Sequence, residues 1–271
     1  MTRAMTWIGL VFFLLVILVP FWWIASMSFK TYEQIQFAVS IYVPNPFTWE
    51  NYTGLWTETR FPLWLRNSLV TALVVTLITS VVASLAGYAV ARLRFPGREA
   101  VASLILIVYL IPPALLFIPL YRVLTELGAT NRLAALFLSY PTFTVPFCTW
   151  LLIGFFKALP EELEEAALID GAGRITAFVR VLLPLAAPGL VASAIFAFTL
   201  SWNEFLYALV FITDETRITV PVGLNLLIYG DVFHWGQLMA ASVITTIPVV
   251  ALYVFIHRWM AEGLVAGSVK G

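Results

Sequence analysis

The sequence is poor in charge, in cysteine and in histidine. Only 11% of its 271 residues are charged, whereas a soluble domain carries about 25%. A soluble fold of this length could not cover its surface with polar side chains. The single cysteine rules out a disulfide within the chain, and the two histidines, far apart, argue against a zinc site. A net charge of zero gives no support for a nucleic-acid partner.

The chain also lacks the usual signatures of an energy source and of a catalytic centre. None of its three lysines follows a glycine, which excludes the Gly-Lys phosphate loop of nucleotide-binding proteins. Glu204 is the one serious candidate for an acid inside an apolar run, and a lone acid is weak support for ion-coupled transport. G-x-S-x-G and H-E-x-x-H motifs are missing. We therefore expect no catalytic residue, no metal and no cofactor bound by this chain.

Apolar residues make up 61% of the chain, and its mean hydropathy is +0.94. A membrane-spanning helix needs about 20 predominantly apolar residues. The sequence therefore predicts an all-α polytopic membrane protein of about six spans, with a polar loop at 157–187 and a polar tail at 257–271. The predicted spans are 7–27, 67–91, 101–124, 134–156, 188–212 and 238–256. The apolar run of the first is longer than a signal-peptide core, so we expect an anchor helix, with a cleavable signal as the alternative.

Lysine and arginine in short loops indicate the orientation, because these residues resist translocation. With the N-terminus placed inside, the inner segments carry nine cations in 61 residues and the outer segments carry five in 73. This bias predicts that both termini are cytoplasmic. Among the prolines near the spans, the Pro112–Pro113 pair in the middle of the third predicts a kinked or broken helix of the kind that often lines a cavity.

The polar loop at 157–187 has the pattern of two short amphipathic helices. Pro160 suits the first position of a helix, and acids at 161, 162 and 164 suit its positive end. An apolar stripe follows at Leu163, Ala166 and Ala167. Asp170–Gly171 reads as a turn, after which a second stripe comprises Ile175, Phe178, Val179 and Leu182. Two interpretations stay open from the residues: a knob that docks on a partner protein, and a helix that lies on the bilayer.

Three stretches resemble a known family. Glu165, Ala166, Ala167, Gly171, Leu183 and Pro184 match, in identity and spacing, the "EAA" loop of permease subunits of binding-protein-dependent ABC importers. Asp170 and Phe178 fit its carbohydrate branch. Residues 201–205, Ser-Trp-Asn-Glu-Phe, resemble a stretch common in the fifth helix of sugar permeases, and residues 263–271 resemble the tail of MalG-like subunits.

The resemblance implies the partners and the location of the chain. A MalF-like second permease subunit would complete the pore, two ATPase subunits would bind ATP and Mg, and an extracytoplasmic sugar-binding protein would deliver substrate. The chain itself would lie among the lipids of a bacterial plasma (inner) membrane. The helix from Glu165 to Gly171, with Asp170 and the later Leu183–Pro184, would couple the pore to the ATPase. Gly267, Lys270 and Gly271 of the tail would reach the ATPase interface.

Two sets of residues are candidates for contact with substrate or with the binding protein. Trp202 can stack on a sugar ring, and Asn203 and Glu204 can hydrogen-bond to its hydroxyls. The alternatives are interfacial anchoring for Trp202 and an ion pair between Glu204 and Arg122. In the outer loop at 213–237 the resemblance implies contact with the binding protein, and the candidates are Asn225, Tyr229 and Trp235. An ordinary surface loop is an equally good interpretation.

The resemblance makes a di- or oligosaccharide of the maltose, trehalose or α-glucoside type the expected substrate. A permease for glycerol-3-phosphate or a polyol is the alternative within the class. A phosphate substrate would favour cations in the pore, and Arg122 is the only one near a span. A self-contained secondary transporter is the alternative from a different class, and it would need no docking loop.

Overall fold

The computed structural model describes the backbone of residues 2–37, 42–229 and 232–268, and the side chains of 5–37, 42–228 and 234–255. Within these residues the chain is helical apart from turns and one small hairpin, in which Ile228–Tyr229 (β1) pairs antiparallel with Val232–Phe233 (β2). The predicted all-α class is therefore confirmed. The chain divides into two units, Met1–Leu65 with Val220–Val249 and Arg66–Thr219 with Val250–Gly271.

In chain order the helices are α1 (Thr2–Ser28), α2 (Tyr32–Gln36), α3 (Glu50–Thr57), α4 (Phe61–Arg92), α5 (Arg98–Leu110), α6 (Phe117–Glu126), α7 (Leu133–Ser139), α8 (Pro141–Ala158), α9 (Glu162–Ile169), α10 (Arg174–Ala177), α11 (Leu183–Leu185), α12 (Ala187–Asn203), α13 (Leu206–Phe211), α14 (Val220–Leu226) and α15 (Trp235–Ser268). A 3₁₀ turn spans Pro113–Leu115, and a stretch of π-helix spans Phe178–Leu182.

Four described stretches are long and apolar enough to cross a membrane: Met5–Ser28, Phe61–Arg92, Leu133–Ala158 and Trp235–Phe255. A fifth results if Arg174–Leu185 and Ala187–Asn203, which are bent by 78° at their junction, count as one span. The predicted count of six spans is therefore not confirmed.

The third predicted span, 101–124, is not one continuous helix. Helix α5 ends at Leu110, Ile111 is extended, and regular helix resumes only at Phe117. Pro112 and Pro113 cause the break, because proline has no N–H to donate and disfavours helical backbone in the residue before it. The hydroxyl of Tyr207 donates a hydrogen bond of 2.8 Å to the Pro113 carbonyl. This carbonyl also accepts a hydrogen bond of 2.9 Å from the N–H of Leu116, so the side chain from another helix adds a second bond at the break.

The predicted helix at 188–212 is also interrupted. Helix α12 ends at Asn203, Glu204 has extended backbone with ψ of 128°, and α13 begins at Leu206. The two oxygens of Glu204 accept hydrogen bonds from the backbone N–H groups of Tyr207 at 2.8 Å and Ala208 at 3.1 Å. Because the first N–H groups of a helix have no partner within it, the Glu204 side chain stabilises the restart.

The unit that contains the N-terminus has one exposed helix and an ordered segment after it. The apolar side chains of α1 are exposed over most of its length, as in a helix that meets lipid or another subunit. At its end, the Phe29 ring packs on Phe47 at 4.5 Å and on Tyr52 at 5.0 Å. The amide nitrogen of Asn51 donates to the carbonyls of Ser28 and Lys30. The residues after α1 therefore have structure of their own.

The core of the other unit lies where α4, α8 and α12 meet the polar loop. It contains Tyr88, Cys148, Leu152, Phe156, Phe178, Leu182 and Ala197, all buried. Gly87 allows α4 to approach α8 closely, since a Cβ added there would lie 3.0 Å from that of Leu152. The polar loop is therefore packed against the spanning helices instead of extending freely from them.

Candidate functional site

The polar loop forms a short helix between two sharp changes of direction. Helix α8 ends at Ala158, and extended backbone at Leu159 leads through Pro160 to α9. Gly171, with φ of +86°, ends the other side in the left-handed conformation that disfavours side chains. The N–H of Ala172 donates to the Ala167 carbonyl and that of Gly171 to the Leu168 carbonyl. This pair of bonds is a Schellman motif, and it fixes the end of α9.

The outer face of α9 is exposed and mixes acidic with apolar side chains. Glu165, Ala166 and Asp170 are exposed, and Ile169 is 85% exposed. In the next helix Ile175 is 81% exposed. Ala167 is half-buried, so the predicted stripe does not face one way. An exposed isoleucine pair flanking a turn is a surface suited to contact with a partner.

Leu183 and Pro184 lie at the opposite end of the loop from Glu165. They begin α11, and Leu183 packs against the core below the loop. The predicted coupling residues therefore lie in different environments. Leu183 packs beneath the loop, whereas the exposed surface contains Glu165, Ala166, Asp170 and Gly171.

Two residues of α4 that were not among the predicted site residues hold the loop in place. The hydroxyl of Tyr88 donates a hydrogen bond of 2.7 Å to Oε1 of Glu164. The guanidinium of Arg92 donates to the carbonyl of Leu159 at 2.5 Å, and it lies 3.9 Å from Oε1 of Glu161. The sequence offers one sign of this anchoring. It is a tyrosine and an arginine four residues apart, at the end of an apolar helix next to a polar loop.

The predicted substrate residues lie at the break in the fifth predicted span, and they differ in accessibility. Trp202 is 5% exposed, and its ring stacks on Phe198 at 5.7 Å. Asn203 is exposed and donates its side-chain amide to the carbonyl of Thr199. Phe198 lies against the Trp202 ring in this conformation, and stacking of Trp202 on a sugar stays a prediction.

The alternative ion pair between Glu204 and Arg122 is not formed. Arg122 pairs instead with Glu126, at 3.2 Å on an exposed surface. Glu204 uses both oxygens on the start of α13.

A cavity of about 580 Å³ opens at the break, next to Asn203 and Glu204. Its lining is Tyr109, Pro113, Phe143, Phe196, Leu200, Asn203, Glu204, Phe205 and Leu206. Aromatic side chains with a few convergent polar groups are the usual composition of a small-molecule site. The two interrupted spans, with their Pro112–Pro113 and Glu204 breaks, both contribute to this wall.

The candidates for contact with a binding protein lie in the unit that contains the N-terminus. Asn225 is exposed on α14, and Trp235, at the start of α15, is 39% exposed. The side chain of Tyr229 lies outside the described residues. Of the tail residues, Gly267 falls in the last turn of α15, while Lys270 and Gly271 lie outside the described residues.

Comparison with known proteins identifies the family. Residues 79–265 match the family described as the inner membrane component of binding-protein-dependent transport systems. The chain belongs to this family. Its match contains the whole polar loop, both interrupted spans and the cavity. The predicted MalG-like permease class is thereby confirmed, and an inner-membrane location follows from the family.

Three named relatives align with nearly the whole length of this permease. The chain is 38% identical to the trehalose/maltose transport system permease protein MalG of Thermococcus litoralis, over 99% of this chain and 97% of that protein. It is 35% identical to the inner membrane ABC transporter permease protein YcjP of Escherichia coli, over 100% and 98%. It is 37% identical to the sulfoquinovosyl glycerol transport system permease protein SmoH of Agrobacterium fabrum, over 94% and 89%.

A solved structure shares the fold. A chain from the crystal structure of a bacterial ABC transporter involved in the import of the acidic polysaccharide alginate superposes with a TM-score of 0.82, covering 95% of this permease and 96% of that chain. The two sequences are 21% identical, so the likeness concerns the fold alone.

Proposed function

We propose that this permease forms half of the pore of an ATP-driven sugar importer and that α9 is its coupling helix. The observation that carries the proposal is an exposed face containing Glu165, Ala166 and Ile169, on a helix whose start is tied to α4 and whose end is fixed by Gly171. A surface that is both exposed and rigidly held can transmit a displacement, whereas a helix lying on lipid has no need of such anchoring.

The proposed partners follow from this surface and from the family. Separate ATPase subunits bind ATP and Mg, hydrolyse ATP and receive α9, with Glu165 as an acceptor for a charge-assisted hydrogen bond. A second, MalF-like permease subunit completes the pore. A soluble binding protein presents the sugar from outside, where Asn225 and Trp235 are exposed. The proposed location has both termini in the cytoplasm. The closed ATPase pair binds one of two pore conformations more tightly than the other. Its closure therefore favours that conformation.

The proposed substrate is a di- or oligosaccharide of the trehalose or maltose type. The trehalose/maltose permease among the relatives supports it, while the sulfoquinovosyl glycerol permease shows how far substrates diverge at similar identity. The lining of the cavity beside Asn203 supports a sugar as substrate, since Tyr109 and Phe143 are aromatic rings that can stack on a pyranose and the amide can bond to its hydroxyls. Trp202, buried against Phe198, is a less accessible candidate for the substrate path than Asn203.

Docking is tested by co-purification. The permease pair is co-expressed with the cognate ATPase subunit, and Glu165→Ala is compared with Glu126→Ala, which removes another exposed glutamate, from the end of α6. We expect Glu165→Ala to lower the ATPase recovered with the permease about tenfold, as for loss of a charge-assisted bond, and Glu126→Ala to leave it unchanged. Equal recovery with both variants would contradict the coupling role.

Substrate and energy source are tested separately. Trehalose, maltose and other α-glucosides are titrated against the cognate binding protein, and the tightest ligand is then used for uptake into proteoliposomes. We expect uptake only when the ATPase, ATP and binding protein are all present. Uptake by the permease alone, driven by an ion gradient, would support the secondary-transporter alternative instead.

A further inference from the structure

Glu164 differs from the other acids of α9 in being buried. It is 8% exposed, whereas Glu162 and Glu165, on either side of it in the same helix, are exposed. Burial of a glutamate is unfavourable unless its oxygens are hydrogen-bonded. The hydroxyl of Tyr88 supplies such a bond at 2.7 Å. The buried acid is therefore held against α4. The exposed acids of α9 are on the surface, where a partner can reach them.

The tyrosine that makes this bond is itself fixed. Tyr88 is 7% exposed, and its ring packs on Phe178 at 4.7 Å and edge-on against Phe156 at 6.2 Å. Phe156 belongs to the end of α8, and Phe178 follows α10. The ring thus lies between the two chain segments that enter and leave α9, and its packing aims the hydroxyl at Glu164.

A second tie lies one helical turn further along α4. Arg92 is four residues after Tyr88, so both side chains lie on the same face of the helix. Its guanidinium donates to the carbonyl of Leu159, at the point where α8 ends, and its side chain is 4% exposed. Glu164 and Leu159 lie in different segments of the loop, so the Arg92 end of α4 is bonded both to α9 and to the residue that leads into it.

We propose that Tyr88 is a positioning residue that locks α9 to the end of α4, so that a displacement of α9 is passed directly to this spanning helix. The inference rests on the proposed role of α9 as the coupling helix. It separates two tasks within one short helix: Glu165 and its exposed neighbours bind the ATPase, and Glu164 transmits the movement. Loss of the Tyr88 bond should leave docking intact and reduce the sugar transported per ATP hydrolysed.

The test uses the complete transporter in proteoliposomes, with both permease subunits, the ATPase pair and the binding protein. Tyr88→Phe removes the hydroxyl and keeps the ring that packs on Phe178. We expect ATPase recovery on purification and ATP hydrolysis to stay within about twofold of the unaltered protein. Sugar transported per ATP should fall about tenfold, as for loss of one hydrogen bond to a charged group. Tyr121→Phe, which removes a hydroxyl from a half-exposed ring elsewhere, is the matched control.

Variants of the acceptor separate a hydrogen bond from a general structural effect. Glu164→Gln keeps an acceptor oxygen and should restore most of the transport per ATP, whereas Glu164→Leu fills the buried space without an acceptor and should match Tyr88→Phe. If the two residues act as a pair, the double variant Tyr88→Phe, Glu164→Leu is no worse than either single variant.

Three results would overturn the inference. They are full transport per ATP in Tyr88→Phe, equal loss in Glu164→Gln and Glu164→Leu, and loss of the ATPase from purified Tyr88→Phe, which would make Tyr88 part of docking. Failure of the proposed function itself has a different signature, since Glu165→Ala would then retain the ATPase whatever happens at Tyr88.

Discussion

At the scale of single residues, neighbouring glutamates of one helix have different settings. Glu165 faces outward and Glu164 is bonded to Tyr88. The sequence assigned the acids of this helix to its positive end, which is correct for their position but does not distinguish them. The difference depends on a partner 76 residues away in the chain. No local pattern reports a contact of that kind, so Glu164 could not have been selected from the sequence.

Gly171 provides a residue-scale prediction with an internal control. Its φ is +86°, while the φ of Gly173 is −73°, and nothing lies within 4 Å of a Cβ added to either residue. Gly171→Ala should weaken binding of the ATPase about fivefold to thirtyfold, because left-handed backbone costs an alanine about 1–2 kcal/mol. Gly173→Ala should bind as the unaltered protein does. The measurement is ATPase affinity for the detergent-purified permease pair, and equal affinities would contradict the strain argument.

At the scale of helices, the sequence predicted where apolar segments lie but not that two of them are interrupted at defined residues. The Pro112–Pro113 pair did indicate a kink. The pair did not indicate the length of the interrupted segment, from Leu110 to Phe117. Within that segment Tyr207, on another helix, donates to the Pro113 carbonyl. The break at Glu204 gave no proline or glycine signal, because a single side chain bonded to the following N–H groups stabilises it. The cavity depends on both breaks and was therefore not predictable as a shape.

The link between the two interrupted spans gives an element-scale prediction. Tyr207→Phe removes the donor to the Pro113 carbonyl and leaves that carbonyl without its side-chain partner. We expect the free energy of unfolding to fall by about 0.5–1.5 kcal/mol, the net contribution of one hydrogen bond, because the N–H of Leu116 still donates to this carbonyl. The measurement is thermal denaturation of the purified permease pair in detergent, with Tyr121→Phe as the control. A melting temperature equal to that of the control would show that the Tyr207 bond adds nothing to stability.

At the scale of the whole molecule, the composition identified the class of protein, because a chain with 11% charge has few alternatives to a membrane. The family match then confirmed the class. The orientation is a different matter. It is predicted from the excess of lysine and arginine in one set of loops. The coupling proposal needs the polar loop to lie on the side where ATP is.

Orientation can be tested with two matched cysteine variants, because the one native cysteine, Cys148, is buried and should react slowly. Thr176 in α10 and Thr213 after α13 are both exposed threonines, and they lie in segments predicted to be on opposite sides. With a membrane-impermeant maleimide, Thr213→Cys should be labelled in intact cells and Thr176→Cys only in inverted membrane vesicles. We expect this result because translocation of the arginines and the lysine in the loop of Thr176 is unfavourable. Labelling of Thr176→Cys in intact cells would place α9 outside, away from ATP, and would contradict both the orientation and the coupling role of this helix.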